Sequence, residues 1–280
     1  MQNQIHLRAI TPADFERVCA VEAKSTPGLR YVPDVFEMFR ADPRGGFFLA
    51  ELGDEAVACA KFSVLPDATG WLETLRVIPE QQGRGIGKKL YQHYFEIARR
   101  ENIHTLRMYT GLTNAVSKGL AEHFGFALEE TFLGFSKPAV LADETAAFRR
   151  VSDPARATAL LMPHAPAWNG FAVMNRTFYR WSPALCAHFA QRGFVYEDTA
   201  TNSVVALGAR FSPHKALHLA LFAGDEAACL RFAEHATRAA GAPRLHCLFP
   251  QSCQRVAHAL AAHAFAPDPG PYIVMKYSEE

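Results

Sequence analysis

Apolar and polar residues alternate in several short stretches of the first half of the chain, which is the pattern of half-buried β-strands. The strands predicted from this alternation span residues 5–10, 46–51, 56–65, 71–78, 104–109 and 125–137. Apolar residues recur at helical spacing elsewhere, and the helices predicted from them and from capping residues span 11–24, 33–39, 86–100 and 114–124. The first half therefore reads as one mixed α/β unit of ordinary domain size.

The second half repeats this pattern at one constant offset. Residue pairs separated by 139 positions include Gly85 with Gly224, Leu106 with Leu245, and Phe126 with Phe265. A register that holds across helix and strand without gaps indicates duplication of one fold. We predict a first domain over residues 1–137, a connector over 138–166 and a second domain over 167–280.

A glycine-rich turn joins the predicted strand 71–78 to the helix that begins near Ile86. Its sequence is Gln82-Gly83-Arg84-Gly85-Ile86-Gly87. Backbone N–H groups at a helix start are unsatisfied and lie at the positive end of the helix dipole. A turn whose glycines leave these groups uncovered by side chains is therefore predicted to bind phosphate. The P-loop and the dinucleotide-binding fingerprint require other residues or other glycine spacing. The alternative is a plain surface turn.

The turn resembles the Gln/Arg-x-x-Gly-x-Gly/Ala signature of the GNAT N-acetyltransferase superfamily. The preceding segment 75–80 is similar to the strand and turn that lead into this signature, and Asn114 with the later Phe124-Gly125-Phe126 resembles the family's Asn and Gly-Phe segment. The resemblance implies an α/β fold with a mixed α+β sheet. It further implies two tandem GNAT-like domains, each with a central, mostly antiparallel sheet flanked by helices.

The resemblance also implies acetyl-CoA (coenzyme A) as the cofactor. The pyrophosphate would contact the backbone amides of residues 84–88, and the pantetheine arm would lie beside strand residues 75–77. The residues assigned to cofactor binding in this way are Leu75, Arg76, Val77, Gln82, Gly83, Arg84, Gly85, Ile86, Gly87, Lys88 and Asn114. Asn114 is equally well explained as the cap of the helix that follows it.

Acyl transfer to an amine needs a base, because an alkylamine is mostly protonated at neutral pH and an ammonium has no lone pair. Glu73 lies where many family members have a carboxylate with this role, and its alternative is a solvated strand residue. The resemblance places the oxyanion donor at a backbone N–H near Val77. Where the family often has a tyrosine that protonates the leaving thiolate, this chain has Ala121. The proton donor is then water or a nearby hydroxyl such as that of Tyr109 or Ser117.

The second copy has lost most of these features. Its turn keeps a single glycine, Gly224, and continues with Asp225 and Glu226, whose charge would repel a pyrophosphate. Cys253 and Ala264 replace the asparagine and the glycine of the first copy. We therefore expect a degenerate domain that does not bind CoA.

An aromatic-rich stretch precedes the second sheet and comprises Phe171, Phe178, Tyr179 and Trp181. Large aromatic side chains at such positions mostly fill a core, and the alternative is the lining of an apolar acceptor site. The twelve histidines do not show the spacing of a zinc site, so no metal is expected.

Composition excludes several classes of partner. Hydrophobic residues make up 49% of the chain and charged residues 20%, which is typical of a soluble globular protein rather than a disordered one. The net charge of +1 provides no overall field for nucleic acid or an anionic membrane. The sequence shows neither a leader nor a membrane-spanning run, and its six scattered cysteines favour a reduced, cytoplasmic protein.

The sequence thus predicts an acetyl-CoA-dependent N-acetyltransferase that acts on the amine of a small molecule or a protein. The catalytic candidates are Glu73 and Tyr109. The alternative is a non-catalytic acyl-CoA-binding or scaffolding protein, and it is favoured by Ala121 and by the decay of the second copy.

Overall fold

A computed structural model describes residues 4–140 and 148–279. Contacts between Cα atoms divide the chain into two compact units. The first contains Met1–Tyr109, Asn114–Ala127 and Met275–Glu280, and the second contains Thr110–Thr113 and Leu128–Val274.

The first unit is a sheet in the order β1-β2-β3-β4-β5 with four helices. Its strands are β1 (Ile5–Ala9), β2 (Gly46–Leu52), β3 (Glu55–Val64), β4 (Gly70–Val77) and β5 (Thr105–Gly111). Its helices are α1 (Phe15–Ser25), α2 (Val32–Arg40), α3 (Ile86–Arg100) and α4 (Ala115–His123). Neighbouring strands are antiparallel except β4 and β5, which are parallel.

The second unit has a sheet in the order β6-β13-β12-β11-β10-β7, a separate β8-β9 hairpin and four helices. Its strands are β6 (Ala127–Pro138), β7 (Arg149–Arg150), β8 (Phe171–Met174), β9 (Thr177–Arg180), β10 (Val195–Asp198), β11 (Ser203–Gly208), β12 (Leu217–Ala223), β13 (Arg244–Pro250), β14 (Ala266–Pro267) and β15 (Tyr272–Ser278). Its helices are α5 (Pro154–Leu161), α6 (Pro183–Gln191), α7 (Glu226–Ala239) and α8 (Gln254–Ala262). The parallel pair here is β12 with β13. The predicted α/β fold with central, mostly antiparallel sheets is confirmed.

The series β4-α3-β5-α4 recurs as β12-α7-β13-α8. Backbone conformation follows the same repeat, because Gly125 and its counterpart Ala264 both have positive φ, at 82° and 61°. Asn102 and its counterpart Gly241 do so as well, at 55° and 76°. Left-handed φ is uncommon outside glycine, so its recurrence at matching positions supports the predicted duplication.

The units are not continuous stretches of chain, unlike the predicted domains 1–137 and 167–280. Most of β6 belongs to the second unit, where its residues from Phe132 to Pro138 pair with β13, and the last residues of β15 belong to the first unit. Residues 149–161 of the predicted connector 138–166 provide β7 and α5 of the second unit, and residues 141–147 lie outside the described chain. The spacing of hydrophobic residues along a segment predicts a strand, but it does not show which other strand that segment pairs with.

Helical spacing correctly predicted the buried face of α3. Four side chains on one face of α3 are buried where the helix packs on the first sheet, namely those of Ile86, Leu90, Tyr94 and Ile97. The predicted aromatic stretch is buried in the second unit at all four positions, Phe171, Phe178, Tyr179 and Trp181. These aromatic side chains are therefore core residues.

Two features are absent from residues 4–140 and 148–279. Every helix in these ranges is too short or too polar to cross a lipid bilayer. The same residues also hold no cluster of three or more His, Cys, Asp or Glu side chains arranged to bind a metal ion.

Candidate functional site

The glycine turn leaves the N-terminus of α3 open. Gly83 and Gly85 have φ of 75° and 80°, and Gly85 is the residue that precedes α3. A Cβ atom placed on either glycine would have no described atom within 4 Å. Arg84 and Lys88 are exposed beside them. Because the first amides of a helix have no partner within it, this turn presents free N–H groups to an open space.

The remaining residues of the turn fix its position. A Cβ on Gly87 would lie 2.9 Å from Cδ2 of Leu120, so this glycine permits the close approach of α3 and α4. Ile86 is buried in the core, and the Gln82 side-chain amide donates to the carbonyl of Val77 over 3.1 Å. The turn is therefore anchored to the end of β4 and to α4.

Strand β4 contains a bulge immediately before the turn. Its register places Glu73 opposite Lys61 and Arg76 opposite Cys59, so two residues of β4 lie opposite one residue of β3. The first of the two, Thr74, has φ of 56°. A β-branched residue rarely adopts a left-handed conformation, and one that does so is held there by its surroundings.

Strands β4 and β5 pair over only part of their length. Among the described residues the parallel register ends at Leu72 and Met108. The amide of Ile78 donates to the carbonyl of Val57 on the β3 side over 3.0 Å. Since amides alternate in direction along an antiparallel strand, the N–H of Val77 points away from β3. The end of β4 thus offers an edge to which an extended chain of amides can pair.

The carboxylate of Glu73 is buried close to this edge. The side chain is only 7% exposed, and Ser63 Oγ donates to its Oε1 over 2.6 Å. Lys61, the residue opposite on β3, forms an ion pair with Asp42. Burial excludes the solvated alternative for Glu73, and its role as a base stays a prediction.

Three side chains that the sequence patterns did not single out hold the bulge. Tyr94 OH donates to the carbonyl of Glu73 over 3.3 Å, and Cys59 Sγ donates to the carbonyl of Thr74 over 3.8 Å. The hydroxyls of Tyr31 and Thr74 form a hydrogen bond of 2.8 Å. Burial raises the pKa of Cys59 to about 12, so its sulfur keeps the proton that it donates. Side-chain donors are needed here because a bulge interrupts the ladder between strands.

Tyr31 lies directly before α2 and is fixed through its backbone. Glu22 of α1 is fully buried, and its carboxylate accepts the N–H groups of Tyr31 and Val32 over 3.1 to 3.2 Å. The guanidinium carbon of Arg76 lies 5.9 Å from the centre of the Tyr31 ring. An acidic residue within the first turn of a helix can be recognised from the sequence. Glu22 lies on α1 instead, so the sequence around α2 does not reveal that its carboxylate accepts the first N–H groups there.

Tyr109 is half-buried at the end of β5. Its ring is parallel to that of Trp71, with 6.0 Å between the ring centres. Burial raises the pKa of Tyr31, and Tyr109 and Glu73 act in the same direction while Arg76 opposes them. Both predicted catalytic candidates therefore contribute to the raised pKa of Tyr31.

Helix α4 presents no tyrosine at the position where the family often has one. Ala121 is fully buried there. Ser117 is half-exposed, and its N–H donates to Asn114 Oδ1 over 3.2 Å, so Asn114 caps the helix. A contact of Asn114 with a cofactor stays a prediction.

The corresponding turn of the second unit is filled by its own side chains. A Cβ on Gly224 would lie 2.5 Å from Ser203 Oγ, which also accepts the N–H of Asp225 over 2.9 Å. The Asp225 carboxylate in turn accepts the N–H of Ala228 in the first turn of α7 over 2.9 Å. The amide positions that are open in the first unit are therefore occupied here.

Comparison with protein families gives a match to the acetyltransferase (GNAT) family over residues 13–126. This range includes the glycine turn, the bulged end of β4, Tyr31, Tyr109 and Asn114. Apart from Thr110–Thr113, which belong to the second unit, the match lies within the first unit.

Among curated proteins, the chain is similar to the mycothiol acetyltransferase of Beutenbergia cavernae. The two sequences are 33% identical over 86 residues, which is 30% of this chain and 29% of that protein. The matched segment is therefore under a third of the length of this relative.

Among solved structures, the whole chain is similar to a GCN5-related N-acetyltransferase from Sphaerobacter thermophilus. The TM-score is 0.68 at 14% identity, over 98% of this chain and 95% of that one. A tandem GNAT protein from the clavulanic acid biosynthesis pathway gives a TM-score of 0.63 at 13% identity, over 98% of both chains. At these identities the likeness shows the fold alone.

Proposed function

Residues 13–126 are a domain of the acetyltransferase (GNAT) family, and we propose that the chain is an acetyl-CoA-dependent N-acetyltransferase. The amine of a small molecule or a peptide would attack the thioester directly. The observation that carries the proposal is the open glycine turn at α3, which adjoins an unpaired end of β4 and the buried carboxylate of Glu73.

The residues of the first unit fit coenzyme A in two places. The amides from Arg84 to Lys88 would bind the pyrophosphate, because they adjoin the positive end of α3 and lie where the glycines leave space. The edge from Leu75 to Val77 would pair with the pantetheine arm. When bound, acetyl-CoA supplies an acetyl group activated as a thioester.

Three groups of the chain would take part in the chemistry. Glu73 would take the proton of the attacking amine, directly or through a water molecule, and Ser63 orients its carboxylate. The backbone N–H of Val77, which points away from β3, would stabilise the developing oxyanion. Tyr109 is the proposed hydroxyl that returns a proton to the leaving thiolate.

A second candidate function follows from α4. Ala121 is buried and offers no hydroxyl, which favours a protein that binds acyl-CoA without transferring the acyl group. A CoA thiolate is a fairly good leaving group, however, so transfer does not require a dedicated acid. We therefore retain this function as the alternative outcome of the test below. A cytoplasmic location stays a prediction from the sequence.

The test measures the release of free thiol from acetyl-CoA with a panel of small amines and peptides. We expect turnover by the natural chain, and a fall in kcat of about 10²- to 10⁴-fold for Glu73→Gln, the usual range for removal of a general base. Because Glu73 is not among the residues proposed to bind CoA, the Kd of CoA measured by calorimetry should not change.

The matched control is Glu234→Gln in the second unit, since Glu234 is also 7% exposed. This variant should turn over like the natural chain. Full activity of Glu73→Gln would refute the assignment of the base. Tight CoA binding without thiol release from any amine would instead support the non-catalytic alternative.

A further inference from the structure

The hydroxyl of Tyr31 contacts the strained residue of the β4 bulge. We propose that Tyr31 is a positioning residue, whose hydrogen bond to Thr74 holds the bulge in the left-handed conformation that directs the following amides toward the bound thioester. This inference rests on the proposed function, because it concerns the donor of the oxyanion site.

The conformation of Thr74 requires an external support. Its φ of 56° is strained for a β-branched residue, and this strain has an energetic cost. Two contacts compensate for this cost, namely the 2.8 Å bond from Tyr31 to its hydroxyl and the Cys59 thiol at its carbonyl. Cys59 lies on the adjacent strand β3, whereas Tyr31 lies directly before α2. The Tyr31 bond therefore joins the bulge to a part of the unit outside the β3–β4 pair.

Tyr31 is held rigidly enough to act as such a support. The buried carboxylate of Glu22 fixes its backbone N–H at the start of α2. Its ring meets Phe39 edge to face, with 6.5 Å between the ring centres. On another side the guanidinium of Arg76 lies 5.9 Å away. The backbone of Tyr31 is therefore positioned by Glu22 of α1, and its ring also packs against Phe39 of α2.

The direction of the later amides depends on the bulge. Side chains and amides alternate along a strand, so one extra residue reverses the direction of every group that follows it. With the extra residue in place, the N–H of Val77 points away from β3 and toward the open edge. If Thr74 left its conformation, the amides of Leu75 and Val77 would lose this direction.

The second unit provides a natural comparison. The register of β11 with β12 shifts between Ala206 and Leu207, so β12 also contains an extra residue. None of the described residues of β12 has a positive φ. A bulge at this place in the fold thus forms without a left-handed residue, and the Tyr31–Thr74 contact belongs to the unit with the open turn.

The test removes one hydroxyl at a time. Tyr31→Phe and Thr74→Val each remove one partner of the hydrogen bond with little change of volume, whereas Thr74→Ser keeps the hydroxyl and serves as the conservative rescue. Tyr91→Phe is the control for loss of a phenol hydroxyl, because Tyr91 is a buried tyrosine on α3 that contacts Phe124 and Phe126.

Two readouts are needed. The scalar coupling between the amide and α protons of residue 74 reports its φ in the free protein, and we expect Tyr31→Phe and Thr74→Val to lose the left-handed value. We also expect kcat to fall by about tenfold to a hundredfold, somewhat less than for complete loss of an oxyanion donor. The Kd of CoA should be unchanged in both variants. Thr74→Ser should retain the left-handed φ and the kcat of the natural chain. The double variant Tyr31→Phe/Thr74→Val should have a kcat no lower than that of Tyr31→Phe.

A left-handed residue 74 in Tyr31→Phe would overturn the inference, and so would a loss of kcat equal to that of Tyr91→Phe. A merely structural role would lower thermal stability without separating kcat from Kd. Failure of the proposed function is distinguishable, because the natural chain itself would then release no thiol. In that case the coupling at residue 74 alone decides whether Tyr31 holds the bulge.

Discussion

The two copies of the fold treat the start of their central helix in opposite ways. In the first unit, Gly85 precedes α3 in a left-handed conformation and leaves the helix amides facing open space. In the second unit, the Asp225 carboxylate caps α7 by accepting the N–H of Ala228, and Gly224 packs against Ser203. A helix cap is worth about 1 kcal/mol, so the second copy gains stability at the site that the first leaves for a ligand.

A second difference lies on the strand before each helix. The parallel registers align Gly70 of β4 with Leu217 of β12, which places Ala220 of the second copy where the first has Glu73. The second copy therefore lacks both the open amides and the carboxylate. The comparison shows that one topology either leaves the first amides of a helix open or fills their positions with its own side chains, depending on a few residues near the helix start.

The largest expected effect is at the open turn. Gly85→Glu would place a carboxylate among the amides proposed to bind pyrophosphate. Charge repulsion at about 4 Å costs roughly 1 to 4 kcal/mol, so CoA affinity measured by calorimetry should fall by tenfold to a thousandfold. The natural chain should bind one CoA.

The control for this substitution is Gly241→Glu in the second unit. Gly241 also has a positive φ, of 76°, and a Cβ there would meet no described atom within 4 Å. Gly241→Glu introduces the same backbone strain and the same negative charge as Gly85→Glu. The affinity for CoA should nevertheless be unchanged in this variant. Equal affinity of both variants, or two CoA molecules per chain, would contradict the contrast between the units.

A smaller effect is expected at the shared left-handed position after α4 and α8. Gly125→Ala should destabilise the protein and Ala264→Gly should stabilise it, each by roughly 1 kcal/mol, because only glycine adopts this conformation without a steric penalty. A Cβ on Gly125 would be 3.6 Å from Tyr277, an ordinary contact distance, so strain alone is tested. Urea unfolding of both variants provides the measurement. Shifts of the same sign would show that the backbones are not equivalent.

The smallest expected effect concerns acid. In the first unit, Arg8 donates to Glu51 and lowers its pKa from 4.5 to about 2, and the same guanidinium lowers the pKa of Asp14. An ion pair of the second unit, between Arg156 of α5 and Glu197 of β10, leaves Arg156 49% exposed and screened by solvent.

A carboxylate with a lowered folded-state pKa stabilises the protein above its unfolded pKa, and this stability is lost as the pH falls through the folded value. We therefore expect the first unit to lose stability as the pH falls from about 4.5 toward 2, in the range set by Glu51. Hydrogen exchange, corrected for intrinsic rates, should show opening of β1 and β2 before β10. The acid sensitivity of these strands should disappear in Arg8→Gln, and its persistence there would assign it to other carboxylates.

Local sequence signals were sufficient to predict the helices and strands and the conformation of the glycine turn of the first unit. The helical spacing of Ile86 to Ile97 correctly gave the buried face of α3, and the glycines at 83 and 85 adopt the left-handed conformations that an amide-presenting turn requires. Composition and spacing of neighbouring residues determine such features because the forces involved act within one or two turns of chain. The binding of CoA at this turn stays a prediction.

The sequence by itself determined the α/β elements, the glycine turn of the first copy, and the single glycine and acidic residues at the turn of the second. Only the tertiary structure decided the burial of Glu73, the left-handed Thr74 and its contact with Tyr31, which is 43 residues away in sequence. It also decided that β6 pairs with β13 in the second unit. Contacts of this kind depend on strand register and on packing between distant segments, which the hydrophobic pattern of a single segment does not specify.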